Sequence, residues 1–141
     1  MSKLTREEMD RIINEHFGYE AQDDIDGVVN TLTDDVEHDV VGSPGSQVTG
    51  REAARKYYSN LFPSLKGESV QPLRRYYGDD FMIDETLWTG HVDGRALGAP
   101  GGEGHASFRI LHILEFRDGK ISRENVWMDL ATVMKQLQQP A

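Results

Sequence analysis

The sequence predicts an α+β domain: a strongly curved antiparallel sheet, with three or more helices across its open side, enclosing a hydrophobic pocket. Three observations carry that prediction. Residues 108–137 read as two long strands joined by a tight turn and followed by a short amphipathic helix. Helical periodicity otherwise falls in the first 61 residues, so helices and strands segregate along the chain. The 141 residues hold no repeat and no linker that would split them, which makes residues 1–141 a single domain.

The elements follow in order. Thr5 is a helix N-cap and Glu8, three residues on, completes a capping box. Met9, Ile12, Ile13, His16 and Phe17 then recur at helical spacing, which puts His16 in the buried stripe. Residues 23–32 form a second short helix with Ile25, Val28, Val29 and Leu32 inward. Residues 36–41 alternate as a strand, with Val36, His38 and Val40 on one face and Glu37 and Asp39 on the other. A loop over residues 42–50 leads into a third helix, 51–61, closed by Phe62-Pro63. Two strands, 70–77 and 81–91, flank a Gly78-Asp79-Asp80 turn, and a glycine-rich loop spans 94–104.

The last hairpin supplies the candidate site. Asp118-Gly119 tolerates the positive φ that a two-residue turn requires, so Arg117 pairs with Lys120. Counting outward, Phe116 faces Ile121, Leu114 faces Arg123, His112 faces Asn125, Ile110 faces Trp127 and Phe108 faces Asp129. One sheet face then carries Phe108, Ile110, Leu114 and Trp127 with His112, Asn125 and Asp129 among them, an apolar wall with a few convergent polar groups. His16, His38 and His112 point toward the same volume, and Trp88 is a further wall or core residue. Asp129 is open to two roles: an acid or base whose ionisation is tuned by burial, or the N-cap of a helix starting at Leu130.

Composition excludes several partners. The net charge of −9 argues against nucleic acid and against anionic membranes. The absence of cysteine removes disulfides and thiolate metal sites. No apolar run can span a bilayer, so the expected setting is cytoplasmic. The three histidines lack short ligand spacing, and no metal is expected. The run GAPGGEG lacks the Gly-Lys-Ser/Thr ending of a phosphate loop and reads as a surface loop or a lid over the pocket, so no cofactor is expected.

The segments DDIDGVVNTLTDDVEHDV, GREAARKYY, LWTGHVDGRALGAPGGEG, FRDGKI and WMDLATVMKQL, in that order, resemble SnoaL-like polyketide cyclases. Those belong to the superfamily of nuclear-transport-factor-2-like cones that also contains the ketosteroid isomerases. The resemblance covers almost the whole chain. It implies a homodimer and an intramolecular aldol cyclisation of a hydrophobic carbonyl compound, run by acid–base chemistry without a cofactor. Set against the isomerases, His16 falls at the oxyanion-binding tyrosine and His112 at the oxyanion-binding aspartic acid. The isomerase base falls at Val40, with Asp39 turned to the other face, so steroid isomerisation by that route is not implied. Set against the cyclases, His112 matches the histidine, and the aspartate of the last strand corresponds to Asp129 or to the place held by Asn125. The roles implied are Asp129 as base, with His112, Asn125 and His16 binding the enolate oxygen. Two other readings stand beside this one. A non-catalytic protein would hold a small hydrophobic ligand. An isomerase, dehydratase or epoxide hydrolase would need a second carboxylate such as Asp84 or Glu85.

Overall fold

The computed structural model describes residues 4–43, 45–98 and 102–137. The helices are α1 (Arg6–Ala21), α2 (Ile25–Asn30), α3 (Arg51–Leu61) and α4 (Leu130–Leu137). The strands are β1 (Leu32–Val40), β2 (Val48–Thr49), β3 (Leu65–Tyr77), β4 (Phe81–Asp93), β5 (Glu103–Arg117) and β6 (Lys120–Met128). They form one unclosed sheet in the order β2-β1-β6-β5-β4-β3. All pairs are antiparallel except β1 with β6.

The α+β cone predicted from the sequence is the fold observed. The capping box at α1 is present, with the Thr5 hydroxyl accepting from the Glu8 N–H at 3.1 Å. Asp118 and Gly119 both take positive φ, 56° and 75°. Several boundaries differ. Leu32 opens β1 instead of closing α2, because Thr31 ends the helix with its hydroxyl on the Val28 carbonyl. The stretch expected as a loop over 42–50 contains the short strand β2. The stretch 94–104 opens with a 3-10 turn, Gly94–Leu97, and β5 begins at Glu103; the expected lid falls partly on residues 99–101, outside the described residues. The parallel contact of β1 with β6, which joins the first strand to the last, has no local sequence signal.

The hairpin register departs from the simple count, and this correction decides the site. Arg117 pairs with Lys120 and Phe116 with Ile121, as expected. Glu115 then pairs with Arg123, leaving Ser122 as an extra residue in a β-bulge. Beyond it Leu114 faces Glu124, His112 faces Val126 and Ile110 faces Met128, where the count gave Arg123, Asn125 and Trp127. One residue of slip flips every later side chain of β6 to the opposite face.

Two apolar cores hold the helices on the concave side. Met9, Ile13, Val28, Leu32, Met82, Leu114 and Ile121 build one under α1 and α2. Val40, Tyr57, Val92, Leu97, Phe108 and Val133 build the other toward α4. Between them lies a cavity of about 490 Å³ whose wall draws on both, Phe62 from the first and Leu61 and Val126 from the second.

Candidate functional site

Glu124 is the centre of the site. Past the bulge it points inward from β6, and it is 2% exposed at the cavity wall. Tyr58, on the buried face of α3, donates its hydroxyl to Glu124 Oε2 at 2.7 Å. His16 Nε2, from α1, lies 3.2 Å from the same oxygen and 3.1 Å from Glu20 Oε1. His38 Nε2, from β1, is 4.0 Å from Oε2, and His112 Nε2, from β5, is 3.9 Å from Oε1. No hydrogen bond reaches Oε1 among the described residues, so the carboxylate is anchored through one oxygen and open at the other.

The protonation of His16 follows from its neighbours. Thr31 spends its hydroxyl hydrogen on the Val28 carbonyl at 2.6 Å, so it can only accept from His16 Nδ1, 2.7 Å away. Nδ1 therefore carries a hydrogen. Nε2 faces two carboxylates that have no hydrogen to give, so it carries one as well, and the ring is an imidazolium. Its N–H lies between Glu20 and Glu124 without lining up on either, so the attraction is coulombic more than a directed hydrogen bond. Burial alone lowers the His16 pKa; the charges of Glu124 and Glu20 outweigh it and raise the value to about 10. Glu124 is the mirror image. Burial pushes its carboxyl up, but the His16 charge, helped by His38 and His112, holds it well below the usual carboxylate range. The Tyr58 hydroxyl is pushed well above its ordinary value by burial and then by the Glu124 charge. His16, Glu20 and Glu124 each bring one polar side-chain atom within 4.8 Å of the others, and with Nε2 protonated the proton of His16, not a cation, holds the two carboxylates together.

The other candidate residues fall into separate places. His38, His112, Ile110 and Trp88 line the cavity. His16, fully buried, stands one layer behind it. Phe108 packs against Trp88 with ring centroids 5.4 Å apart, and Leu114 lies in the core under α1. Asn125 and Trp127 point to the outer face of the sheet, where Trp127 is 49% exposed and donates its indole N–H to Asn125 Oδ1 at 2.7 Å. Asp129 caps α4: it accepts the Thr132 N–H at 3.2 Å and the Thr132 hydroxyl at 2.7 Å. Those bonds, hydroxyl first, lower its pKa. Asp84 is fully buried, but its oxygens are taken by Arg75 at 2.7 Å and Thr86 at 2.6 Å, while Glu85 lies 3.5 Å from Arg109.

Glu124 and Tyr58 escaped the sequence reading. A signal for Glu124 was present. Val126 and Met128 share its parity and are apolar, whereas Ile121 at the turn end has the opposite parity. Apolar residues that change parity within one strand mark a bulge.

Comparison with known proteins agrees with this architecture. Residues 13–124 match the family model described as a SnoaL-like domain. A putative SnoaL-like polyketide cyclase from Jannaschia sp. CCS1 superposes with a TM-score of 0.79 at 22% identity, each chain covered in full. A putative polyketide cyclase from Xanthomonas campestris pv. campestris gives 0.75 at 18% identity over 94% of this chain and 98% of its own. An epoxide hydrolase from M. tuberculosis, of the type named LEH-like, gives 0.72 at 18% identity over 92% of this chain and 89% of its own. No protein of curated function matches the sequence. Among the described residues no helix is long and apolar enough to cross a membrane.

Proposed function

The chain belongs to the SnoaL-like domain family, and from that premise we propose that it catalyses proton abstraction next to a carbonyl group, as in an intramolecular aldol cyclisation of a hydrophobic substrate. The single observation behind this reading is Glu124: an ionised carboxylate at the wall of a largely apolar cavity, anchored through Oε2 and open at Oε1. In the proposed step Oε1 takes the proton from the carbon α to the carbonyl. The C–H electron pair moves to the carbonyl oxygen as an enolate. His112 and His38, whose Nε2 atoms stand 3.9 and 4.0 Å from Glu124, donate to that oxygen. The enolate carbon then bonds to a second carbonyl carbon of the same molecule, and the resulting alkoxide recovers the proton from Glu124. Donors already in place where charge develops are the largest source of rate in such sites. In this reading Asp129 is a helix cap, Asn125 supports the outer face, and the base is Glu124.

The test begins with a thermal-shift screen of aromatic polyketide esters, steroids, terpene epoxides and fatty acids, followed by product analysis of each stabilising compound. With a converted substrate in hand, Glu124→Gln should keep binding and lose at least about 100-fold in turnover. Asp129→Asn should leave turnover within about twofold. Full turnover by Glu124→Gln would sink the assignment.

One observation favours a second reading. The ion pair that keeps Glu124 ionised also makes it a weak base, which suits a protein that binds its ligand without converting it. Stabilisation by a ligand with no product would select that reading. The epoxide-hydrolase reading has less support, since Asp84 and Glu85 are both engaged away from the cavity. The proposal includes a homodimer: Leu111 and Trp127 pair across β5 and β6 on the outer face, and Trp127 stands exposed there. Light scattering on the purified chain reads the mass directly.

A further inference from the structure

Beside the two histidines, the cavity is lined by hydrogen-bond acceptors, two of which are hydroxyls locked in that role. Thr86, on β4, lines the cavity and is 4% exposed. Its hydroxyl donates to Asp84 Oδ1 at 2.6 Å. Asp84 does not return a hydrogen: Arg75 Nε donates to its other oxygen at 2.7 Å, so both carboxylate oxygens act as acceptors. Arg75 is itself braced by Asp10 at 2.9 Å and Asn14 at 2.8 Å, so this arrangement is tied to α1 and does not turn over easily. The Thr86 oxygen is left with lone pairs alone for whatever fills the cavity. The same logic applies to Tyr58, whose hydrogen is spent on Glu124.

The charges at the mouth have the same bias. Glu20, Asp23 and Glu68 line it, Glu68 lying 3.1 Å from His105, and Lys66, the one lysine or arginine among the described lining residues, is held 3.1 Å from Asp23. His16 carries a positive charge but lies behind the wall, and it is shared between Glu20 and Glu124. Counting Glu20, Asp23, Glu68 and Glu124 against Lys66 and His16, the surroundings are net negative. Low-dielectric walls concentrate that field, so an anionic ligand is repelled and a cation attracted. The rest of the lining includes Phe17, Phe62 and Trp88, faces that suit both an apolar body and a neighbouring cation.

We propose that the cavity selects a protonated amine carried on an apolar body, with Thr86 as a fixed acceptor for its N–H and the acidic wall as its counter-charge. This rests on the same cavity as the acid–base reading, but not on turnover. A natural substrate would then be an amine-bearing carbonyl compound, and a carboxylic acid would be excluded.

The test is calorimetric titration of the intact chain near neutral pH with three probes that share one body: 4-phenylbutylamine, 4-phenylbutan-1-ol and 4-phenylbutanoate. The amine should bind at least about tenfold tighter than the alcohol, and the carboxylate should bind weakest. Thr86→Val should weaken amine and alcohol alike by about three- to tenfold, while Thr86→Ser, which keeps the hydroxyl, should restore both. Glu20→Gln should weaken the amine and leave the alcohol unchanged. A carboxylate that binds as well as the amine overturns the proposal. So does an amine that fails to bind at millimolar concentration, or an amine preference that survives both Thr86→Val and Glu20→Gln. The ranking of probes says nothing about turnover, so its failure leaves the role of Glu124 standing, and an inert Glu124 leaves the ranking standing.

Discussion

Replacing both His16 and Glu124 by Gln isolates the proton that the buried site holds. The His16 pKa rises from 6.5 to about 10 in the folded chain. A pKa raised by folding stabilises the native state fully below the unfolded value, and that stabilisation drains away as pH climbs through the folded one. Between 6.5 and about 10 the native chain keeps one proton that the unfolded chain has released. Stability should therefore fall by about 1.4 kcal/mol per pH unit in that window, or about 3 kcal/mol from pH 7 to pH 9. Glu124 acts at the opposite end: its pKa is depressed, so its contribution is present above the unfolded value of 4.5 and lost in acid. The pair is thus at full strength between 4.5 and 6.5. In His16→Gln the buried carboxylate loses its counter-charge, which should cost about 3–5 kcal/mol at neutral pH. Urea unfolding of the wild type and of His16→Gln/Glu124→Gln, in which neither member of the pair can titrate, isolates the pH term across pH 7 to 9. The wild type should lose about 3 kcal/mol relative to that variant over the range. A gap between the two that stays constant would mean that Nε2 carries no proton, and the imidazolium argument would fail.

Tyr58→Phe removes the hydroxyl bonded to Glu124 Oε2 and should cost about 1.5–3 kcal/mol in urea unfolding, the range for a hydrogen bond to a charged group. Asp129→Ala removes the cap of α4 and should cost about 1 kcal/mol, with ligand binding in the cavity unchanged. At Gly90 an added Cβ would lie 2.2 Å from the Lys66 carbonyl oxygen and 2.9 Å from Gly67 Cα, both backbone, at the mouth of the cavity. Gly90→Ala should then part β3 from β4 there, lower stability by about 2 kcal/mol or more, and speed amide exchange at Gly67.

Local chemistry was readable wherever a residue type answers to its immediate neighbours. The Thr5 capping box, the Asp118-Gly119 turn and the alternation of Val36, His38 and Val40 depend on contacts a few residues away. The convergence of three histidines was readable too, because each sits in an apolar pattern of known period. The parallel pairing of β1 with β6 depends on segments more than eighty residues apart. The position of Glu124 depended on one extra residue. Reading β6 forward from Ile121 places Asn125 and Trp127 inward; reading it backward from Met128 places Val126 and Glu124 inward. The count outward from the Asp118-Gly119 turn gives the first reading, yet Trp127 is 49% exposed.

Two causes could set the inward face of Glu124: the bulge itself, or the burial of Val126 and Met128. Val126→Thr combined with Met128→Gln separates them, since it leaves Ser122 and the turn untouched and removes the apolar burial alone. If apolar burial is the cause, the strand slips to the regular ladder counted from the turn. Glu124 then turns outward, the imidazolium of His16 loses its partner, and the fall of stability from pH 7 to 9 disappears along with the Leu114–Glu124 contacts seen by NMR. If the bulge is the cause, those contacts and the pH dependence survive, with only a modest part of the stability lost. Burial of Val126 and Met128 against the cavity wall, with Glu124 already paired to His16 and Tyr58, favours the first outcome. In that case the bulge accommodates a register chosen by the interior, and the carboxylate of this site is held in place by the same burial that shapes the cavity.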